Sequence, residues 1–152
     1  ALRAGGVLDV AGGGARLALC LTVDRPAATR IPCTVIDPRY ARLSDFTARR
    51  ILKLAADSEA AGDEEDGRGG AGVGGAHVLS LSALFGEPYR SDADAMRRVE
   101  AHLHQVGFTF HRCPFDQTYV ADEAATWKSA AAVIGMHPDE ATEAIVDAAL
   151  AA

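Results

Sequence analysis

The sequence predicts an α/β fold, with a mostly parallel sheet and helices on both of its faces. Two observations carry this. Short apolar runs at residues 7–10, 31–37 and 130–136 lack the polar alternation of a half-exposed strand, so they suit strands covered on both sides. Amphipathic helical patterns lie between them, and each run ends in glycine, proline or an acidic residue, the punctuation of βα junctions. At 152 residues the chain is read as one domain, 1–152, long enough to bury a core.

The first strand is Val7, Leu8, Asp9 and Val10. It ends in Ala11 and three glycines, Gly12, Gly13 and Gly14, and residues 16–23 then read as a helix. Glycines let the backbone turn sharply and approach a ligand, and the free N–H groups of a following helix favour negative charge. A dinucleotide fingerprint counted from Gly12 places Leu17 where the third glycine belongs, so that match fails. An acidic residue before the turn, Asp9, suits instead a ligand with a cationic amino group. A glycine turn with no ligand is the plain alternative.

Residues 24–30 contain Pro26 and read as a loop. The second strand spans 31–37, with β-branched Thr34, Val35 and Ile36, and ends in Asp37 and Pro38. In a βαβ unit Asp37 stands at the same carboxyl edge as the glycine turn, where a carboxylate can accept the two ribose hydroxyls of an adenosine. Residues 44–59 form an amphipathic helix with Ser44 as N-cap. Arg42, Arg49, Arg50 and Lys53 give it a basic face, readable as a solvated surface or as an RNA contact. Residues 60–76, acidic and then glycine-rich, are expected to be a flexible insertion.

A third strand is expected at 78–85, where Leu79, Leu81 and Phe85 alternate with Ser80 and Ser82. Residues 92–106 form a helix, with Met96, Val99, Leu103 and Val106 at three-four spacing and Gly107 as its stop. The aromatic stretch 108–120 reads as an extended segment over the sheet or as a lid near a pocket. A short helical turn carries Trp127 at 123–128. After the strand at 130–136, Pro138, Asp139 and Glu140 start the last helix, 139–151. This second strand-to-helix junction places Gly135, Met136, His137 and Asp139 at the carboxyl edge. His137, which titrates near neutrality, is the candidate base or substrate contact there.

The formal net charge of -6 argues against broad nonspecific binding to nucleic acid or to an anionic membrane, while leaving room for a local basic patch. No apolar run approaches the 18 residues of a membrane span. Cys20, Cys33 and Cys113 are an odd number without C-x-x-C spacing, which favours a reducing, intracellular setting, cytoplasmic or organellar. His102, His104, His111 and Cys113 lie near one another in sequence but match no standard zinc spacing, so no metal is expected.

Together, the stretches Val7-Leu8-Asp9-Val10-Ala11-Gly12-Gly13-Gly14 and Thr34-Val35-Ile36-Asp37-Pro38-Arg39 resemble motif I and the ribose-binding strand of class I S-adenosylmethionine-dependent methyltransferases. The junction Gly135-Met136-His137-Pro138-Asp139-Glu140-Ala141-Thr142-Glu143 is similar to one in a branch that includes tRNA 2′-O-methyltransferases, where a histidine precedes Ala-Thr and an acidic residue. The resemblance implies a Rossmann-like methyltransferase fold. It also implies S-adenosylmethionine as cofactor, with Asp9, Ala11, Gly12 and Gly13 at its methionine end, Asp37 on the ribose, and Met136 and His137 near the transferred methyl. Ala11 and Ala15 stand where the motif usually carries glycine. The chain ends at Ala152, before the fifth strand and a Cys-Cys pair of that branch, so an incomplete or reduced fold is expected. Two functions stay open. One is an RNA methyltransferase; the other is a non-catalytic methyltransferase-like subunit of a ribonucleoprotein such as an organellar ribosome, its open sheet edge covered by a protein partner. A nicotinamide-binding enzyme is a more distant third.

Overall fold

The computed structural model describes residues 2–39, 42–61, 80–87, 89–135, 138 and 141–151. A short helix α1 (Leu2–Gly5) precedes β1 (Val7–Val10), and α2 (Arg16–Leu21) leads to β2 (Cys33–Ile36). Two long helices, α3 (Asp45–Ala61) and α4 (Ala93–Gln105), come before β3 (Phe108–His111). Two short ones, α5 (Gln117–Asp122) and α6 (Ala124–Ser129), come before β4 (Ala132–Gly135), and α7 (Thr142–Leu150) follows it. The four strands form one sheet in the order β3-β2-β1-β4, and every pairing is parallel. With helices on both faces, this is a Rossmann-like α/β arrangement with open edges.

Strand alternation sorts the core into two layers. Val7, Cys33, Val35, Phe108 and Phe110 pack against Ala18 and Leu19 of α2, Ala48, Ile51 and Ala55 of α3, and Met96, Val99 and Leu103 of α4. Leu8, Val10 and Ile36 face the other way, onto Cys113, Phe115, Tyr119, Trp127 and Ala148. Large side chains such as Phe108 and Phe110 are fully buried, each stabilising the fold by roughly 1.5–3 kcal/mol. Capping follows the sequence. The Ser44 hydroxyl accepts from the Thr47 N–H at 3.3 Å, and the Asp92 carboxylate accepts from the Ala95 N–H at 2.9 Å.

Two expectations need correction. The strand at 78–85 is not formed: residues 78 and 79 lie outside the described residues, and Leu81–Leu84 is a 3-10 turn. Leu81, Leu84 and Phe85 also satisfy helical spacing, and all three are buried against the α3–α4 layer. The backbone closes on itself through Ala83 N–H to Ser80 O and Phe85 N–H to Ser82 O, so no sheet edge is needed. The stretch 108–120 is neither a segment laid over the sheet nor wholly a lid. Its first four residues are the edge strand β3, paired in register with β2, and its last ones begin α5, capped by Asp116. The expected insertion at 60–76 lies outside the described residues apart from its first two, which end α3. The first residues of the expected last helix, Asp139 and Glu140, also lie outside them, and α7 is described from Thr142.

Candidate functional site at the carboxyl edge of the sheet

The chain leaves β1 through a turn that hydrogen-bonds across to β2, with the Ala11 N–H donating to the Ile36 carbonyl at 2.8 Å. Ala11 (φ 55°), Gly13 (φ 51°) and Ala15 (φ 57°) are all left-handed. For the two alanines this conformation costs about 1–2 kcal/mol each relative to an ordinary backbone. Such strain persists only where the surroundings impose it. Ala15 is fully buried in the α2 layer, so its methyl group recovers packing there.

Gly12 is required for a different reason. A Cβ at this position would lie 2.7 Å from the Asp9 carboxyl and 2.9 Å from Val35 Cγ1. The turn therefore folds down directly onto Asp9, which is only 2% exposed. In the sheet register Asp9 sits in a row with Val35 and Ile134, so a carboxyl occupies an otherwise apolar layer. Burial, and then the nearby Asp37, push its pKa up to about 6 against the pull of a backbone hydrogen bond from Ala18. Its Oδ2 has no hydrogen-bond partner among the described residues.

Asp37, at the end of β2, is fully buried and holds the turn directly. Its Oδ2 accepts the Gly13 N–H at 2.9 Å, and its Oδ1 accepts the Arg39 N–H at 2.8 Å. The Arg39 guanidinium closes on the same carboxylate with Nε and Nη2, both at 3.1 Å. Burial alone would raise the Asp37 pKa, but the Arg39 and Gly13 donors outweigh it and hold the carboxyl below its usual range.

Beside this bridge lies a cleft of about 410 Å³. It opens at the carboxyl ends of the strands, beside the point where the strand order reverses between β1 and β4, the place where open α/β sheets bind ligands. Val10, Ile36, Pro38 and Phe115 give it apolar walls, Asp37, Arg39 and Asp116 its charged groups, and Ala11 a corner next to the glycine turn.

Of the residues expected at the site, the structure brings Ala11 and Asp37 to the cleft and joins Asp37 to Gly13. Asp9 is not on the cleft wall; it is sealed under Gly12 on the α2 side of the sheet. Met136 and His137 lie outside the described residues, between Gly135 and the cleft residue Pro138. Arg39, Phe115 and Asp116 were not singled out from the sequence. Arg39 lies two residues beyond Asp37, a spacing that could have signalled it, whereas Phe115 and Asp116 enter only because β3 lies beside β2. The histidine-rich set is divided: His102 meets Ser58 of α3 on one side of the sheet, while His111 meets the Tyr119 hydroxyl on the other at 3.0 Å. Among the described residues no three potential metal ligands come together, and no helix is long and apolar enough to cross a membrane.

In comparisons with known proteins, no family model, no curated protein and no solved structure matches this chain.

Proposed function

We propose that this protein binds S-adenosylmethionine in the carboxyl-edge cleft and transfers its methyl group to RNA. The observation that carries the reading is the Asp37 carboxylate, which joins the end of β2 to the glycine turn of β1 at the wall of a ligand-sized cleft. A buried carboxylate there suits ribose hydroxyls, and Val10, Ile36, Pro38 and Phe115 suit a planar base. The Ala11 to Gly13 turn is assigned to the methionine end, and the resemblance assigns Met136 and His137 to the transferred methyl.

The present arrangement sets one condition. Arg39 occupies the Asp37 lone pairs that ribose hydroxyls would take, and its side chain, 73% exposed, has solvent to move into as the ribose arrives. Binding exchanges these charge-assisted bonds for those to the ribose.

The cofactor supplies an activated methyl on a sulfonium, and this chain's residues supply positioning and exclusion of water. His137 is the proposed base for the proton released from the attacking RNA group. RNA as substrate and an intracellular setting, cytoplasmic or organellar, belong to the same proposal.

Isothermal titration tests it: saturable binding of S-adenosylmethionine is expected, and no heat at millimolar ligand ends the reading. Asp37→Ala is expected to weaken binding by about 1.5–3 kcal/mol through loss of the charge-assisted hydrogen bond. Arg39→Ala is expected to tighten it, because the competing donor is gone.

A specific observation favours a second reading, a non-catalytic methyltransferase-like subunit of a ribonucleoprotein. The outer edge of β4 pairs with no strand among the described residues, and Val133 of β4 and Val146 and Leu150 of α7 are exposed. That reading expects no cofactor binding, and co-sedimentation with a large particle that ribonuclease disperses.

A further inference from the structure

On α3, Ala48, Ile51 and Ala55 are buried, and the outward stripe is Phe46, Arg49, Arg50 and Lys53 at three- and four-residue spacing. Phe46 is 77% exposed. It is the only aromatic residue among the large exposed hydrophobics of the described residues; the other three belong to β4 and α7. The ring borders two depressions. One, of about 250 Å³, lies between α2 and α3 and is lined also by Arg16, Asp24 and Arg50. The other, of about 500 Å³, is flanked by Asp45, Arg49, Arg50 and Lys53.

The local charge is the reverse of the chain's -6: four cations, Arg16, Arg49, Arg50 and Lys53, stand against the carboxylates of Asp24 and Asp45. Asp24 pairs with Arg50 at 2.8 Å. Arg49 donates from Nε to the Tyr89 hydroxyl at 3.1 Å and is also attracted by Asp45. Arg16 and Lys53 have no ion-pair partner among the described residues. Arg16 opens α2 next to the glycine turn, whereas Arg50 pairs with Asp24 just past the far end of α2, so the patch runs along the α2–α3 side of the sheet.

An exposed ring between cations fits a partner with planar faces and a polyanionic backbone. A lipid surface would ask for a broad apolar face, and here the apolar part is one ring. We infer that the Phe46–Arg50–Lys53 stripe of α3, with Arg16 of α2, is a docking platform for single-stranded RNA, the base stacking on Phe46 and the phosphates lying along the cations. From Phe46 to Lys53 the helix rises about 10 Å, enough for about three nucleotides of a stacked strand. This deepens the RNA reading above and rests on it for the choice of RNA. Binding is measured without S-adenosylmethionine, so the platform and the cofactor site fail separately.

The test is fluorescence anisotropy with labelled RNA single strands of about ten nucleotides. Phe46→Ala is expected to weaken binding about tenfold and Phe46→Trp to preserve it, as stacking requires. Lys53→Gln is expected to reduce the slope of log affinity against log salt by about 0.7, one phosphate contact on a single strand. Because these side chains are exposed, the variants should keep the wild-type unfolding midpoint. The inference is overturned if Phe46→Ala binds as wild type, if duplex RNA binds as well as the single strand, or if phosphatidylserine vesicles bind through Phe46 and RNA does not.

Discussion

Ala11 and Ala15 are the residues at which this glycine turn departs from the glycines its backbone favours. Both have positive φ, and they differ in what their methyl groups touch. Ala15 is fully buried, whereas Ala11 stands at the wall of the cleft. Replacing Ala11 by glycine removes left-handed strain of about 1–2 kcal/mol and adds unfolded-state entropy that costs about 0.4–1 kcal/mol. The expected result for Ala11→Gly is a net gain of about 0.5–1 kcal/mol, read as a higher urea midpoint at unchanged m. A lower midpoint would mean that the Ala11 methyl contributes packing that outweighs the strain.

At the scale of elements, the junction between β4 and α7 depends on one close approach. Pro138 folds back over Gly135, where an added Cβ would stand 2.9 Å from Pro138 Cβ and 3.1 Å from Ile145 Cδ1. Gly135 has an ordinary φ, so its role is space and not backbone freedom. Gly135→Ala is therefore expected to destabilise by about 1–3 kcal/mol, as overpacking does. Since Pro138 also lines the cleft, the same variant should weaken any ligand held there. Urea unfolding and ligand titration check the two effects; a neutral result in both would show that the junction relaxes freely.

For the molecule as a whole, the carboxylates at the site pull its pH dependence in opposite directions. Asp37, held low in the folded state, contributes stability that is present above about pH 4 and lost as pH falls through its folded pKa. Asp9, raised from 3.8 to about 6, takes up a proton on folding between those values, so its destabilising effect grows as pH rises from about 4 to 6 and is constant above. His102, lowered first by burial and then by Arg30, acts in the opposite sense, its cost fading as pH rises toward the ordinary histidine value. The difference between the wild type and Asp9→Asn isolates the Asp9 contribution. The variant is expected to gain on the order of 2–3 kcal/mol at pH 8 relative to pH 4, measured by urea unfolding at both. A pH-independent difference would mean that Asp9 is solvated or paired in solution.

Local chemistry along the chain was enough for much of this. The apolar runs around Val7, Val35 and Val133 marked three of the four strands, three-four periodicity with Ser44 and Asp92 marked α3 and α4, and Gly12 and Asp37 marked the edge where the cleft lies. These features depend on near neighbours, so they can be read one segment at a time. Only the tertiary structure decided what depends on distant partners. Leu81 to Phe85 folded as a turn because α3 and α4 offered it a buried layer, and Phe108 to His111 became a strand because the edge of β2 was open to pair with it. Asp9 lies sealed beneath Gly12, and not on the cleft wall, because the register with Val35 and Ile134 turns it toward α2. Arg39 closes on Asp37 only where the folded turn brings Gly13 to the same carboxylate. Spacing in the sequence carries period and turn chemistry; it does not carry which face of a sheet a side chain meets, since that is set by pairing and packing between residues far apart in the chain.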